Sequence, residues 1–221
     1  MRTILVNFKN YPEVLGEGSV RLAAAVEEAA RGLGVNAIAA PPAPMLSLVA
    51  SRVKVKVFSQ SVGGRVGDKT TGEVLPEAVR GAGGSGTILN HSESRRPAPE
   101  LRELVPRLLR MGMEVCLCSQ TTAETARLAS LDPTYLAIEP PELIGSGVAV
   151  SKAKPELIER TVSAVRKTGF KGEILCGAGI VSGEDVRKAV ELGADGVLVA
   201  SSIVKAQSWR AKVSELARSL T

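Results

Sequence analysis

The 221-residue chain is 44% hydrophobic but only 3% aromatic, so we expect a large core packed mainly from aliphatic side chains. No apolar run reaches the ~18 residues of a membrane span and the N-terminus lacks a signal-peptide pattern, which predicts a cytosolic protein without membrane contact. The net charge of +5 comes from basic residues dispersed among nearly as many acids; without a basic run or interleaved aromatic residues, we expect no nucleic-acid partner.

Short aliphatic runs recur along the chain, and each ends in a polar or glycine-containing turn. Their length and composition are typical of buried parallel strands. The eight predicted strands are residues 4–7, 36–40, 56–59, 86–90, 114–118, 135–138, 173–176 and 196–199.

Amphipathic or alanine-rich segments separate these strands and are predicted to be helices. They are residues 20–33, 44–51, 76–82, 99–111, 121–131, 155–168 and 182–192, with a last helix at 209–220. Prolines suit the first turn of a helix, where the missing N–H costs nothing; they stand here at Pro44, Pro76, Pro99 and Pro155. Glycines suit helix ends, and they follow at Gly34, Gly112, Gly169 and Gly193. Ser182, three residues before Asp185, predicts a capping arrangement.

Regular alternation of strand and helix predicts an α/β fold. The units average roughly 28 residues, close to the minimum for a strand, a crossover helix and two turns. Eight such units most simply close into a (β/α)8 barrel, and an open doubly wound sheet is the alternative. No linker or change in composition marks a boundary, so we expect one domain over residues 1–221. A barrel would place the active site at the C-terminal ends of its strands.

The three cysteines do not have the number or spacing of a disulfide framework or a zinc site. Cys116 and Cys118 are two apart in the run EVCLC, so they should share one face of a strand. We expect these two residues and Cys176 to be ordinary buried thiols.

Polar residues follow the first and fourth predicted strands. Asn7 and Lys9 are two apart, so both side chains can project into a barrel mouth and contact an anionic substrate; a solvated lysine beside a turn-forming asparagine is the alternative.

His91, the only histidine, precedes Ser92 and Glu93 at the predicted start of a helical turn. A helix N-terminus would keep the ring neutral, able to donate a hydrogen bond to a substrate oxygen, although a purely structural histidine is equally compatible.

The sixth strand ends in Glu139, followed by two prolines and the glycines of GSG at 145–147. Prolines stiffen one end of this segment and glycines free the other, which predicts a hinged lid over an acid or base, or else a surface loop with an incidental glutamate.

Small residues at 176–180 and 199–202 follow strands seven and eight. They would let backbone N–H groups approach an anion, and these two loops form the common phosphate site of such barrels.

Taken in order, five motifs resemble triosephosphate isomerase in the short form found in archaea: NFK (7–9), NHSES (90–94), EPPELIGSG (139–147), CGAGI (176–180) and LVASS (198–202). TTGEVLPEAV (70–79) is similar to the third loop of that family. No single motif is decisive, but the ordered set is specific and extends over nearly the whole chain.

The resemblance implies that Glu139 is the proton-abstracting base, His91 the electrophile and Glu93 a support for Lys9. It implies substrate contacts from Asn7, Phe8 and Lys9, and assigns the phosphate to backbone around Ile144, Gly145, Gly179, Ala200 and Ser201. The implied reaction interconverts dihydroxyacetone phosphate and glyceraldehyde 3-phosphate through an enediolate, in glycolysis and gluconeogenesis, without a metal or organic cofactor. The implied assembly is a homotetramer or dimer formed through loop 69–73.

Three departures from the commoner bacterial and eukaryotic pattern of that family are present. Asn90 stands where a glycine usually precedes the histidine, the lid lacks a tryptophan-containing hinge, and Ala200 and Ser201 replace a glycine pair. Two other functions remain open from the residues alone: a different phosphate-binding barrel isomerase or epimerase, and a noncatalytic barrel that binds a partner. The single histidine disfavours those isomerases that depend on a metal cluster.

Overall fold

The computed structural model describes residues 1–64, 69–140 and 155–221. In these ranges eight strands form a closed parallel barrel in chain order, and β1 also pairs with β8. The strands are β1 Thr3–Asn7, β2 Asn36–Ala40, β3 Lys56–Ser59, β4 Gly86–Leu89, β5 Glu114–Ser119, β6 Tyr135–Ile138, β7 Glu173–Cys176 and β8 Gly196–Val199. The predicted (β/α)8 barrel is therefore confirmed, and the open doubly wound alternative is wrong because the first and last strands are hydrogen-bonded.

Helices connect the strands around the outside of the barrel. In the same ranges they are α1 Glu17–Ala30, α2 Leu46–Ala50, α3 Pro76–Gly81, α4 Ala98–Arg110, α5 Thr122–Leu128, α6 Pro155–Lys167, α7 Gly183–Glu191, α8 Ser201–Val204 and α9 Trp209–Arg218. Short 3-10 turns occur at Pro12–Val14, Ala43–Met45 and Ala129–Leu131. None of these helices combines the length and hydropathy needed to cross a bilayer.

The core has two layers because every strand is buried on both faces. The inner layer fills the barrel and is made of Leu5, Ile38, Ala40, Phe58, Ile88, Cys116, Cys118, Tyr135, Ala137, Leu175 and Leu198. The outer layer packs strands such as β1 against the surrounding helices, and it includes Phe8 and Cys176. All three cysteines are free and buried, and Cys116 and Cys118 share the inner face as predicted.

The capping chemistry predicted from the sequence is present. Ser182 and Asp185 form a reciprocal capping box at the start of α7. Left-handed φ angles of 65°, 73°, 88° and 95° occur at the four glycines expected near helix ends, Gly34, Gly112, Gly169 and Gly193. These glycines reverse the chain toward the next strand, which keeps the connections short.

Several predicted boundaries were wrong for local reasons. The fourth strand ends at Leu89 rather than Asn90, because Asn90 has a left-handed φ of 59° and leaves the extended conformation. The helix predicted at 121–131 ends at Leu128 and tightens into a 3-10 turn, after which Asp132 turns the chain with a φ of 50°. The short helix α8 was not predicted, since four residues carry too little periodicity to be recognised.

Candidate active site

Two buried side chains from opposite parts of the chain meet at the C-terminal end of the barrel. His91 follows β4 and Glu139 follows β6, and the His91 Nε2 atom lies 3.4 Å from Glu139 Oε1. Only 6% of His91 and 2% of Glu139 are exposed. The closed strand order brings them together, as the rule that barrel sites lie at strand ends predicts.

Glu139 is held by its backbone while its carboxyl group is buried. Its N–H donates to the Ser119 carbonyl at 2.8 Å, which continues the β5–β6 pairing. Its Oε2 atom is buried without a hydrogen-bond partner among the described residues. Burial raises the pKa of this carboxyl to about 7, against smaller lowering effects of the nearby Cys118 thiol and the charge of Lys9. A group that titrates near pH 7 is suited to accept and return a proton.

The hydrogen bonds of His91 determine its tautomer. The N–H of Glu93 donates to Nδ1 at 3.1 Å, so Nδ1 carries the lone pair and Nε2 carries the proton. The pKa of His91 is lowered, first by burial and then by the charge of Lys9, with the charge of Glu93 acting in the opposite direction. We expected a neutral ring because of a helix dipole, but α4 begins only at Ala98. Burial is the main cause, and it leaves a neutral Nε2–H donor beside the carboxyl group of Glu139.

Lys9 is presented to the cavity by a strained turn. Its φ is 50°, and its N–H donates to Asn7 Oδ1 at 3.0 Å while Gln60 Nε2 donates to its carbonyl at 2.8 Å. The Lys9 ammonium forms an ion pair of 2.6 Å with Glu93, whose side chain is 60% exposed. These bonds hold the left-handed backbone of Lys9, which would otherwise be unfavourable for a residue with a Cβ.

Phe8, which is predicted to contact substrate, has its side chain in the core. Its side chain is fully buried in the outer core layer, and its N–H donates to the Ala40 carbonyl at 3.0 Å. Side chains alternate along an extended segment, so Phe8 must face away from the cavity if Asn7 and Lys9 face toward it. The phenyl ring therefore does not line the cavity that holds His91 and Glu139, and a contact of Phe8 with substrate stays a prediction.

The predicted anion-binding turns line the same cavity as the buried pair. Gly179, with a φ of 70°, comes from the loop after β7, and Ala200 and Ser201 come from the end of β8 and the start of α8. The hydroxyl of Ser202 donates to the Ile180 carbonyl at 2.7 Å and ties these two turns together. The first N–H groups of a helix lack intrahelical acceptors, so this wall of the cavity can bind an anion. The remaining predicted contacts, Ile144 and Gly145, and the rest of the lid at 141–147 lie outside the described residues.

Three residues of the site were not among those predicted. Tyr11 lines the cavity, and the Lys205 ammonium lies 4.6 Å from the centre of its ring. Gln60 supports Lys9, and as the residue directly after β3 it could have been found by inspecting every strand end. Gly177 lies within the glycine-containing turn at 176–180. A Cβ atom there would lie 2.6 Å from Cγ of Glu139, so only glycine leaves room for this carboxylate.

Comparison with known proteins agrees with this geometry. The sequence model of the family described as Triosephosphate isomerase matches residues 2–216. The chain belongs to the triosephosphate isomerase family. It is 43% identical over 217 residues to the triosephosphate isomerase of Caldivirga maquilingensis, a match that covers 98% of this chain and 96% of that one.

Two further relatives named triosephosphate isomerase show similar agreement. The protein of Methanosarcina acetivorans is 41% identical over 215 residues, covering 97% of each chain. That of Methanocaldococcus jannaschii is 37% identical over 213 residues, covering 96% of this chain and 97% of that one. The resemblance read from the ordered motifs is thereby confirmed. Among the residues that the structure describes, no group of three or more His, Cys, Asp or Glu side chains is placed to hold a metal.

Proposed function

We propose that this chain is a triose-phosphate isomerase, which interconverts dihydroxyacetone phosphate and D-glyceraldehyde 3-phosphate. The observation that carries the proposal is the contact of 3.4 Å between a buried carboxyl group, Glu139, and a neutral imidazole, His91, in a cavity with an anion-binding wall. The similarity to proteins named triosephosphate isomerase over nearly the whole chain supports the same reaction.

Proton transfer between adjacent carbons is the task assigned to Glu139. Its carboxylate removes a proton from the carbon next to the substrate carbonyl and returns it to the neighbouring carbon, so that no atom is gained or lost. General base assistance of this kind accelerates a reaction by about 10²–10⁴. The pKa of about 7 allows the group to hold the proton in the intermediate and release it afterwards.

The enediolate formed in between carries negative charge on oxygen. His91 donates from Nε2, Asn7 donates from its amide, and Lys9 supplies a positive field. One preorganised donor of this kind contributes roughly 3–4 kcal/mol to the transition state. The isomerisation must also move the hydroxyl proton from one oxygen of the enediolate to the other. His91 Nε2 gives its proton to the former carbonyl oxygen and takes up the former hydroxyl proton, so the imidazole is neutral again when the product forms.

The phosphate group is proposed to bind at the backbone of Gly179, Ala200 and Ser201, with Ile144 and Gly145 completing the site by analogy with the family. Its binding energy positions the reacting carbons between Glu139 and His91. Closure of the segment at 141–147 would exclude water and suppress loss of phosphate from the intermediate. The proposal requires no metal or organic cofactor.

A coupled assay on the purified chain tests the function. We expect turnover of dihydroxyacetone phosphate, detected by an NAD-dependent dehydrogenase that consumes glyceraldehyde 3-phosphate. The Glu139→Gln variant, purified in the same way, controls for contaminating host isomerase. Turnover that is absent, or equal in the variant, would contradict the proposal. Pentose phosphate and aminated sugar phosphate substrates in parallel assays distinguish it from other barrel isomerases.

We also propose that the chain forms a homo-oligomer, a tetramer or a dimer, through loop 69–73. Thr71 in this loop is exposed, and a cleft of about 680 Å³ beside the active site is lined by Lys9, Tyr11 and Val74 among others. A charge at the tip should weaken the assembly, so Thr71→Arg is expected to sediment as a smaller species. The matched control is Thr221→Arg at the exposed C-terminus. Equal sedimentation of wild type and Thr71→Arg would contradict the role of the loop.

The biological setting follows from the activity. We propose that residues 1–221 act as one catalytic domain in glycolysis and gluconeogenesis, in the cytoplasm. The free, buried state of the three cysteines supports a reducing compartment.

A further inference from the structure

We propose that Asn90 is a positioning residue, whose side-chain amide joins the loop that carries His91 to the end of the strand that supports Glu139. The inference rests on the function proposed above, since it concerns the relative placement of those two groups. Asn90 does not line the cavity that holds His91 and Glu139, so it would act only through its neighbours.

The backbone of Asn90 is unusual for a residue with a side chain. Its φ is 59°, in the left-handed region, and only 1% of the residue is exposed. In the described part of the chain, Lys9 and Asp132 are the other non-glycine residues with positive φ. Asparagine adopts this conformation more readily than most residues, but glycine does so at lower cost. An asparagine held in this conformation therefore depends on the bonds that its side chain makes.

Both ends of the Asn90 amide are hydrogen-bonded. Nδ2 donates to the Cys118 carbonyl at 2.9 Å, and Oδ1 accepts from the N–H of Arg96 at 3.0 Å. Exchanging the two amide atoms would break both bonds, so the partners fix the orientation of the group. A buried amide with both partners made is a rigid connection, and removal of either bond leaves a buried polar group unsatisfied.

The bond to Cys118 continues the sheet beyond its backbone pairing. Strands β4 and β5 are paired up to Leu89 and Leu117. One residue further on, the left-handed turn directs the backbone of Asn90 away, and its amide donates across the same edge to Cys118. The next carbonyl of β5, that of Ser119, accepts the N–H of Glu139 at 2.8 Å. Adjacent peptide groups of β5 thus bind the residue before His91 on one side and Glu139 on the other.

The bond to Arg96 closes the loop that carries His91. The hydrogen bond from the Arg96 N–H to Asn90 Oδ1 holds the two ends of residues 90–96 together. Within this loop the N–H of Ser94 donates to the His91 carbonyl at 2.8 Å, and the N–H of Glu93 donates to His91 Nδ1. The same residue therefore fixes the shape of this loop and its distance from β5. Loss of the amide should let His91 shift relative to Glu139 while the anion-binding wall, which comes from β7 and β8, is undisturbed.

The test compares Asn90→Gly with Asn90→Asp. Glycine keeps the left-handed backbone without either bond, and aspartate keeps the acceptor for Arg96 but not the donor for Cys118. We expect kcat to fall by roughly 10- to 100-fold in both, the range typical of a misplaced catalytic group. KM and the affinity for inorganic phosphate should stay within about twofold, because phosphate binding is separate from the reacting centre. Asp132→Gly, a glycine substitution at an exposed left-handed position, is the matched control and should keep wild-type kcat.

The single histidine allows a second measurement that does not depend on activity. In ¹⁵N-histidine-labelled protein every imidazole signal belongs to His91, and we expect the wild type to show one neutral Nε2–H form. Asn90→Gly should shift or broaden these signals, whereas Asp132→Gly should not. Retention of wild-type kcat and His91 signals in both Asn90 variants would overturn the proposal. An inactive wild-type chain would instead refute the proposed function, and the NMR comparison would still decide whether Asn90 positions His91.

Discussion

Replacement of Glu139 by glutamine is the most informative change, because it affects activity and stability in opposite directions. The carboxyl group is 2% exposed, and its Oε2 atom has no hydrogen-bond partner among the described residues. Glutamine has nearly the same shape but cannot ionise. The substitution therefore removes the base and the buried charge with little change in packing.

The effect on stability has a definite sign and pH window. Burial raises the pKa of Glu139 from 4.5 to about 7, so the folded protein binds a proton between these values that the unfolded chain has released. The free energy of unfolding therefore decreases as pH rises through this window. At 1.36 kcal/mol per pKa unit, the loss is roughly 3 kcal/mol when the group is fully ionised. Glu139→Gln does not incur this loss.

Denaturant unfolding at pH 5 and pH 8, at one protein concentration, measures this difference. The free energy of unfolding of Glu139→Gln minus that of wild type should increase by roughly 3 kcal/mol from pH 5 to pH 8. In the same samples kcat should fall by at least about 10²-fold, the lower end of what a general base provides. Exposed Glu159 gives the matched control, Glu159→Gln. A difference independent of pH would refute the reasoning that Glu139 is a desolvated base.

Three further predictions concern charges and contacts around the site and at the far end of the barrel. Lys9→Met should move the acidic limb of the pH profile of kcat/KM to higher pH, and Glu93→Gln to lower pH, because their charges shift the pKa of Glu139 in opposite directions. Gly177→Ala should lower kcat by roughly 10-fold or more, since its Cβ would lie 2.6 Å from Cγ of Glu139. Tyr135→Phe should lower the free energy of unfolding by about 1–3 kcal/mol at unchanged kcat, because the hydroxyl makes two partly buried hydrogen bonds.

The corresponding controls come from the same chain. Gly81→Ala adds a Cβ with no atom within 4 Å, so it should leave kcat unchanged. The Tyr135 hydroxyl donates to Glu114 at 2.8 Å and accepts from Asn36 at 3.0 Å, both at the opposite end of the barrel from the site. Parallel shifts of the pH profile in the two charge variants, wild-type kcat in Gly177→Ala, or an unchanged unfolding midpoint in Tyr135→Phe would each contradict the corresponding prediction.

Most of the architecture could be predicted because each barrel unit repeats the same pattern. Strands buried on both faces are read as continuous aliphatic runs, and helix ends carry recognisable capping residues such as Ser182. The rule that sites form at strand ends then located His91 and Glu139 without knowledge of their distance. The same alternation that directs Asn7 and Lys9 toward the barrel mouth also implies that the side chain of Phe8 faces the core, where it lies in the structure.

Other features depend on contacts that the sequence does not show. The lowered pKa of His91 comes from burial by distant elements and from Lys9, neither of which can be read from its neighbours in the chain. Asn90 terminates β4 through a side-chain bond to Cys118, a residue adjacent only in the folded barrel. Tyr11 lines the cavity from the segment between β1 and the 3-10 turn at Pro12–Val14, and no pattern in the sequence marks that position.

Burial alone would leave an unsuitable catalytic pair, because it disfavours charge on both groups. It raises the pKa of Glu139, which weakens its ability to act as a base at neutral pH, and lowers the pKa of His91, which keeps the ring neutral. Lys9 lowers both pKa values, so it favours the ionised form of Glu139 and the neutral form of His91. Glu93 opposes Lys9 at both groups and pairs with it at 2.6 Å. The balance of this ion pair therefore influences how much of the buried carboxyl group is available as a base. The Cys118 thiol and the charge of Arg95 also lower the pKa of Glu139, so they act in the same direction as Lys9.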